Sequence, residues 1–86
     1  MKTNVSTIKE LWQRAKNASR TRVEFLRGNE FLRASLAGTC MQKRLDEMIA
    51  LLRIEQDGAR YEFENLLADN DEFPQFWQAV KTKYRV

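Results

Sequence analysis

The stretch CMQKRLDEMIALLRIEQDGARYEFENLLA, residues 40–68, decides the expected fold. Its apolar side chains recur at spacings of three and four residues, the period of helices that pack in bundles or coiled coils. The spacing therefore predicts one long central helix over residues 40–68, weakened at Gly58. The stripe on its buried face comprises Met41, Leu45, Met48, Ile49, Leu52, Gln56, Ala59, Phe63, Leu66 and Leu67.

A first helix is predicted from about Thr7 to Arg27. Thr7 and Glu10 match the spacing of a capping box, in which side chains satisfy the free N–H groups at a helix start. Gly28 with its neighbour Asn29 supplies the C-terminal stop. At about 100° per residue, one side of this helix is apolar and is expected to face the core: Ile8, Leu11, Ala15, Ala18, Phe25 and Leu26.

Between these two helices, residues 30–37 predict a short helix that ends in a break or kink at Gly38. Asn29 is its expected N-cap. One continuous helix through Gly38 is the alternative, since a glycine in a helix interior costs only about 1 kcal/mol relative to alanine. The sequence therefore predicts either three or four helices in all.

A last helix is predicted over residues 72–84, after the polar turn that ends the long helix. Asp71 is its expected N-cap, and Pro74 is tolerated in a first helical turn. Its apolar positions are Phe73, Phe76, Trp77, Val80 and Tyr84. The aromatic side chains predict that this helix closes the core, with a groove contact to a partner protein as the alternative.

The expected fold class is all-α, a small bundle of three to four helices around the long central helix, in one domain spanning residues 1–86. A core of this size supplies only about 3–5 kcal/mol of net stability. Cys40 is the only cysteine, so no internal disulfide can add to it. A second apolar patch at Leu51, Ile54 and Tyr61 lies off the main stripe, and it predicts a homodimer contact.

Several classes of chemistry lack their usual side chains. The chain has no histidine, so the commonest general base and the Ser-His and Cys-His pairs are absent. No zinc-type ligand set can form, and the three glycines make no phosphate-binding loop. We therefore expect no enzyme activity, no metal and no cofactor, and we interpret Cys40 as a structural cysteine.

The charges are distributed unevenly along the chain. Residues 1–44 hold ten Lys and Arg against three Glu, whereas residues 45–86 hold five Lys and Arg against nine Asp and Glu. On the first helix, four basic residues recur at spacings of seven, four and seven, which superimposes them in one strip. With two apolar neighbours they form the predicted partner-binding surface: Lys9, Trp12, Lys16, Arg20, Val23 and Arg27.

The basic strip predicts a protein partner with an acidic surface. The same strip also fits a nucleic-acid-associated regulator that contacts phosphates, and an ordinary solvated helix face is the third interpretation. No apolar run is long enough for a membrane span, and residues 1–5 lack the apolar region of a signal peptide, so we expect a cytoplasmic protein. In size and style the chain resembles small adaptors, inhibitors and regulators of bacteria and their phages, without sharing a specific motif.

Overall fold

Residues 4–86 are described by a computed structural model and form an all-helical bundle. Four helices follow one another along the chain, and no β-strand occurs in this range. Their bounds are α1 Val5–Arg27, α2 Phe31–Leu51, α3 Ala59–Asp69 and α4 Phe73–Tyr84. The predicted all-α bundle is therefore confirmed, while several of the predicted helix boundaries are wrong.

Helix α1 begins earlier than predicted. Together, α1 and α2 form an antiparallel hairpin. The side chain of Asn4 accepts a hydrogen bond from the backbone N–H of Ser6 at 2.9 Å, so Asn4 and not Thr7 caps α1. At the other end Asn29 adopts a left-handed φ of 58°. The N–H of Glu30 bonds to the carbonyl of Phe25 at 2.8 Å, which satisfies a free carbonyl at the helix end and turns the chain back.

The predicted break at Gly38 is wrong, because α2 runs without interruption from Phe31 to Leu51. Gly38 is buried against α1. A Cβ atom at this position would lie 3.3 Å from Cδ of Arg22, which is a tight contact. Glycine at position 38 therefore lets the side chain of Arg22 lie close against α2. Packing of α2 against α1 compensates for the low helix propensity of this glycine.

The predicted long helix over residues 40–68 is also wrong, because it is interrupted between Leu51 and Ala59. Arg53 adopts a φ of 56° and Gly58 a φ of 79°, and Gln56 lies exposed in the connection. A straight helix would carry the second half of the apolar stripe past the end of α1, where it has nothing to pack against. The break returns that half, now α3, onto the hairpin.

Helix α3 lies across one face of the hairpin, and α4 packs beside it. At the α2 side Arg60 of α3 forms an ion pair with Asp46 at 3.5 Å. At the α1 side the carboxyl end of α3 meets Lys16. The core lies between these layers and contains Ile8, Leu11, Trp12, Ala15, Met41, Leu45, Met48, Leu52, Phe63, Leu67, Phe73, Phe76 and Val80.

Helix α4 contributes aromatic side chains to the core, as predicted. The ring of Phe76 lies 6.0 Å from that of Phe63, and Phe73 lies 5.8 Å from Trp12 in an edge-on arrangement. Pro74 occupies the first turn, but Glu72 precedes the helix in place of the predicted cap Asp71, without a side-chain capping bond. Phe73 and Phe76 are buried, while Trp77 and Tyr84 are partly buried against the core, so most of the aromatic surface of α4 is used within the fold.

The two short helices cover only part of the hairpin. Helices α1 and α2 have 23 and 21 residues, whereas α3 and α4 have 11 and 12. At 1.5 Å per residue α1 is about 34 Å long and α4 about 18 Å. The hairpin end, defined here as residues 19–39, therefore extends beyond the layer formed by α3 and α4.

Candidate protein-binding surface

The predicted basic strip on α1 is interrupted by two buried residues. Trp12 is 5% exposed and Lys16 is 6% exposed, so the expectation that both lie on an open binding surface is wrong. Trp12 packs against aromatic rings of α4. The spacing predicts a strip on a solvent-facing side of α1, but α3 and α4 cover that edge of the helix at Trp12 and Lys16.

Lys16 instead holds the end of α3. Its Nζ donates hydrogen bonds to the carbonyl oxygens of Leu67 at 2.5 Å and Asn70 at 3.1 Å, and it lies 3.4 Å from Oδ1 of Asp71. The last carbonyls of a helix have no partner within the helix and carry partial negative charge, so a buried ammonium group stabilises them. Lys16 therefore joins α1 to α3 and is not available to a partner.

The other predicted members of the strip remain exposed but do not form one surface. Lys9, Arg20, Val23 and Arg27 are all exposed. Lys9 lies on the part of α1 covered by α3 and α4, about 16 Å along the helix axis from Arg20. The structure thus brings together only Arg20, Val23 and Arg27, which all lie in the hairpin end.

The hairpin end carries a group of exposed large apolar side chains. They come from both helices and comprise Val23, Leu26, Phe31, Leu32 and Leu36. Phe31 is 65% exposed, Leu32 77% and Leu36 64%. Contiguous exposed apolar residues mark interaction sites, and of these five Leu26 and Phe31 line one groove between α1 and α2.

Phe31, Leu32 and Leu36 are exposed residues that are not among the predicted surface residues. The signal was present, because these three positions fall off the helical stripe that contains Ala34 and Met41. In the short separate helix predicted for residues 30–37, the spacing does not indicate which side faces a neighbouring helix. Once α2 is continuous, only one of its faces can be buried by α1.

A shallow groove runs between α1 and α2 at the hairpin end, with a volume of about 370 Å³. Leu26 and Arg22 line it from α1, and Phe31 lines it from α2. Its remaining lining comes from residues of α2, most of them small or polar: Ala34, Ser35, Gly38, Thr39 and Gln42. The groove therefore has Leu26 and Phe31 as its large apolar side chains, and the rest of its lining is mostly polar or small.

Positive charge surrounds this groove. Residues 19–39 contain four arginines and two glutamates. Arg33 pairs with Glu30 at 3.3 Å and lies 5.9 Å from the ring of Phe25. None of the ion pairs found among residues 4–86 involves Arg20, Arg22 or Arg27.

The second predicted surface lies at the opposite end of the molecule. Leu51 and Tyr61 are exposed, Tyr61 at 69%, whereas Ile54 is half-buried and packs against the core. Beside Tyr61 is a hollow of about 510 Å³ whose acidic lining is provided by Asp46, Asp57 and Glu64. Arg60 also lines this hollow and pairs with Asp46, so two of its three carboxylates have no ion pair within residues 4–86.

A pair of groups with shifted pKa values lies between α3 and α4. The Tyr84 hydroxyl donates a hydrogen bond to the Glu62 carboxylate, and Lys83 lies 3.4 Å from the same carboxylate. The bond from Tyr84 lowers the pKa of Glu62. Burial, followed by the bond to Glu62, raises the pKa of Tyr84. The contact joins α3 to α4.

The described residues give no sign of a metal centre or a membrane span. Within 4–86 no three His, Cys, Asp or Glu side chains are grouped so that they can hold a metal ion. No helix in that range is both long enough and apolar enough to cross a bilayer. Cys40 is exposed, and so it is not the buried structural cysteine that the sequence suggested.

Comparison with known proteins gives no family for this chain. No protein-family model matches the sequence. Searches of curated proteins and of solved structures find no significantly similar chain. The surface at the hairpin end is consequently the main guide to function.

Proposed function

We propose that this chain is a small protein-binding adaptor, inhibitor or regulator that binds an acidic protein surface through its hairpin end. The observation that carries the proposal is the exposed apolar ring of Phe31 beside the groove between α1 and α2, whose lining is otherwise largely polar. Arg22 lines the groove, Arg20 and Arg27 lie on the same two turns of α1, and none of the three forms an ion pair within residues 4–86. Apolar side chains supply the affinity of such contacts, and arginines supply charge complementarity and specificity.

A purely solvated helix face accounts less well for this surface. Solvated faces are polar, whereas Phe31, Leu32 and Leu36 are each more than half exposed. Aromatic residues and arginine are both enriched in protein–protein interfaces, and lysine is depleted there. The hairpin end contains arginines and no lysine, which is the composition of a protein contact.

The proposal can be tested by site-specific photo-cross-linking in the cells that produce the protein. A photoreactive phenylalanine analogue replaces Phe31 in one variant and Tyr61 in a matched control, since the two aromatic side chains are almost equally exposed at opposite ends of the molecule. We expect an acidic protein to be cross-linked from position 31 and not from position 61. A protein captured only from position 61 would contradict the proposal.

The cross-linked protein is then purified and its affinity measured by calorimetry. The variant Arg20→Glu with Arg27→Glu is expected to bind at least about tenfold more weakly, because each reversal places like charges across the contact. The control is Arg53→Glu with Arg85→Glu, which changes the net charge equally at exposed residues outside the hairpin end. Equal losses for both double variants would mean that only net charge matters.

The second candidate function is a nucleic-acid-associated regulator that contacts phosphates through the same arginines. Arg20, Arg22 and Arg27 within two turns of one helix favour it. Binding to duplex DNA would weaken steeply with salt, with a log–log slope that scales with the number of phosphates contacted. Absence of DNA binding at low salt would leave the protein-binding function.

Self-association is a separate proposal for the opposite end. Leu51 and Tyr61 are the exposed apolar residues there, and the small core favours additional burial in a homodimer. Sedimentation equilibrium at high micromolar concentration is expected to show a dimer that Tyr61→Glu dissociates. A monomer at that concentration would exclude it.

A further inference from the structure

We infer that the partner contacts the groove with an acidic amphipathic helix, laid beside α3 as a continuation of the layer that α3 and α4 form. This inference rests on the proposed function and names the conformation of the bound segment. Its apolar side chains would contact Leu26 and Phe31, and its carboxylates would pair with Arg22 and the neighbouring arginines.

Farther toward its N-terminus, the face of α1 that is open at the hairpin end packs against α3 and α4. Trp12, Lys16, Ser19 and Val23 follow one another at spacings of four, three and four, which places them in one row on α1. The first two are buried by α4 and by the end of α3. The row continues into the hairpin end, which α3 and α4 do not cover, and there Ser19 is half-buried and Val23 is exposed.

The same continuation occurs on α2. Ile49 packs against the core beneath α3, and Gln42 borders both the hollow beside α3 and the groove. Ser35 and Phe31 follow on the same side of α2, at spacings of seven and four. The groove is thus the uncovered part of the hairpin face that α3 crosses.

The groove has a length and depth that suit a docked helix. The uncovered turns of α1, residues 19–27, are about 13 Å long, which corresponds to a bound helix of roughly 9–14 residues when modest overhang is included. Buried Ala34 and Gly38 keep the floor low, while Leu26 and Phe31 form its walls. Helices pack at interaxial distances of about 8–10 Å when the side chains between them are small.

An extended segment cannot bind here by adding a strand to a sheet. Strand addition requires an exposed sheet edge that supplies main-chain hydrogen bonds, and residues 4–86 contain no strand. A helix satisfies its own main-chain groups, so it needs only apolar and charged side-chain contacts. The hairpin end provides both kinds of contact.

Charge decides between a foreign helix and a second copy of this chain. Arg22 lies across Gly38 at the groove and has no ion pair among residues 4–86. In a symmetric dimer through this face, the arginines of one copy would meet those of the other. An acidic helix would instead offer carboxylates, which guanidinium groups bind through paired hydrogen bonds.

The inference is tested with two displayed peptide libraries and the full-length protein. In the first library, 14-residue peptides carry randomised apolar residues at helical spacing and fixed glutamates on the flanks. The second library is identical except for a central proline, which breaks a helix. Selected peptides are bound to isotope-labelled protein, and backbone amide shifts locate the contact.

We expect the helical library to yield binders that shift amides of residues 19–39, and the proline library to yield none there. Their affinity should fall at least about tenfold in Arg22→Glu and stay unchanged in the control Arg85→Glu. Thermal unfolding of each variant is compared with that of the parent, so that a folding defect is not taken for a loss of binding.

The alternative results separate this inference from the function on which it rests. Equal selection of proline-containing peptides at the hairpin end would overturn the helix and leave the acidic partner standing. If neither library yields a binder at residues 19–39, while cross-linking from Phe31 also captures no acidic protein, both proposals are wrong. If cross-linking succeeds and both libraries fail, the helix alone is refuted.

Discussion

Lys16 offers the sharpest test of how the fold uses its charges. The perturbation is Lys16→Met, which keeps most of the length of the side chain and its packing while removing the ammonium group. The variant leaves the carbonyls of Leu67 and Asn70 without their donor and removes the weaker contact to Asp71.

The expected loss follows from those contacts. A hydrogen bond from a charged donor contributes about 1.5–3 kcal/mol, so the two bonds contribute about 3–6 kcal/mol before compensation. The ion pair with exposed Asp71 adds at most about 1 kcal/mol. Two effects reduce this loss of stability: the variant no longer buries a charge, and the half-buried carbonyl of Asn70 can bond to water instead. We therefore expect the free energy of unfolding to fall by about 2–3 kcal/mol, most of what a core of this size supplies.

Urea unfolding followed by circular dichroism and by tryptophan fluorescence measures this loss. For a domain of this size, 1 kcal/mol corresponds to about 4–8 °C in Tm, so thermal unfolding provides a second measurement. The control is Lys9→Met, which removes the same charge from an exposed position on the same helix and should change stability by less than about 0.5 kcal/mol. If both variants are equally stable, Lys16 does not hold α3, and its place in a binding strip must be reconsidered.

Four further variants test other parts of the structure. Phe31→Ala should alter unfolding free energy by less than about 0.5 kcal/mol, whereas Phe63→Ala should lower it by about 3–5 kcal/mol in urea titrations, because only the second ring is buried. Tyr84→Phe should reduce two pH effects measured by urea unfolding across a pH series. The lowered pKa of Glu62 contributes stability above its ordinary value of 4.5 that is lost as pH falls through the folded value. The raised pKa of Tyr84 contributes stability below about pH 10 that is lost as pH rises toward the folded value. Gly38→Ala should raise Tm and increase the free energy of unfolding by up to about 1 kcal/mol, because alanine has the higher helix propensity and the exposed side chain of Arg22 can shift slightly. The added methyl group should also weaken partner binding, since it fills the floor of the groove. A lower Tm would show that Arg22 cannot move.

The periodicity of apolar residues predicts which residues are buried more accurately than it predicts where the helices end. Leu45, Met48, Phe63 and Leu67 share one sequence stripe and one core, although they belong to two helices. A stripe records which side chains face the core, but it does not record whether the backbone turns back between them. Asp57-Gly58 was visible as a weak point, whereas the left-handed Arg53 was not, because arginine rarely adopts that conformation.

The candidate site was predicted in part, through Arg20, Val23 and Arg27. The errors at Trp12 and Lys16 have one cause: a helical wheel assumes a single buried side, while α1 is covered by α2 on one side and by α3 and α4 on the next. Lysine was assigned to solvent because its charge is costly to bury, and only the carbonyls at the end of α3 make burial favourable. Those carbonyls come from residues more than fifty positions away.

The sequence by itself determined the all-helical class, most of the core and the excess of positive charge in the first half of the chain, because these depend on composition and local spacing. Tertiary structure alone decided that Lys16 is buried, that α2 continues through Gly38, and that the hairpin end is uncovered. Each of these depends on how far α3 and α4 reach across the hairpin, which is set by helix lengths and by the direction of the turn after Leu51. Local patterns do not encode that direction, since the energy that selects it comes from contacts between distant residues.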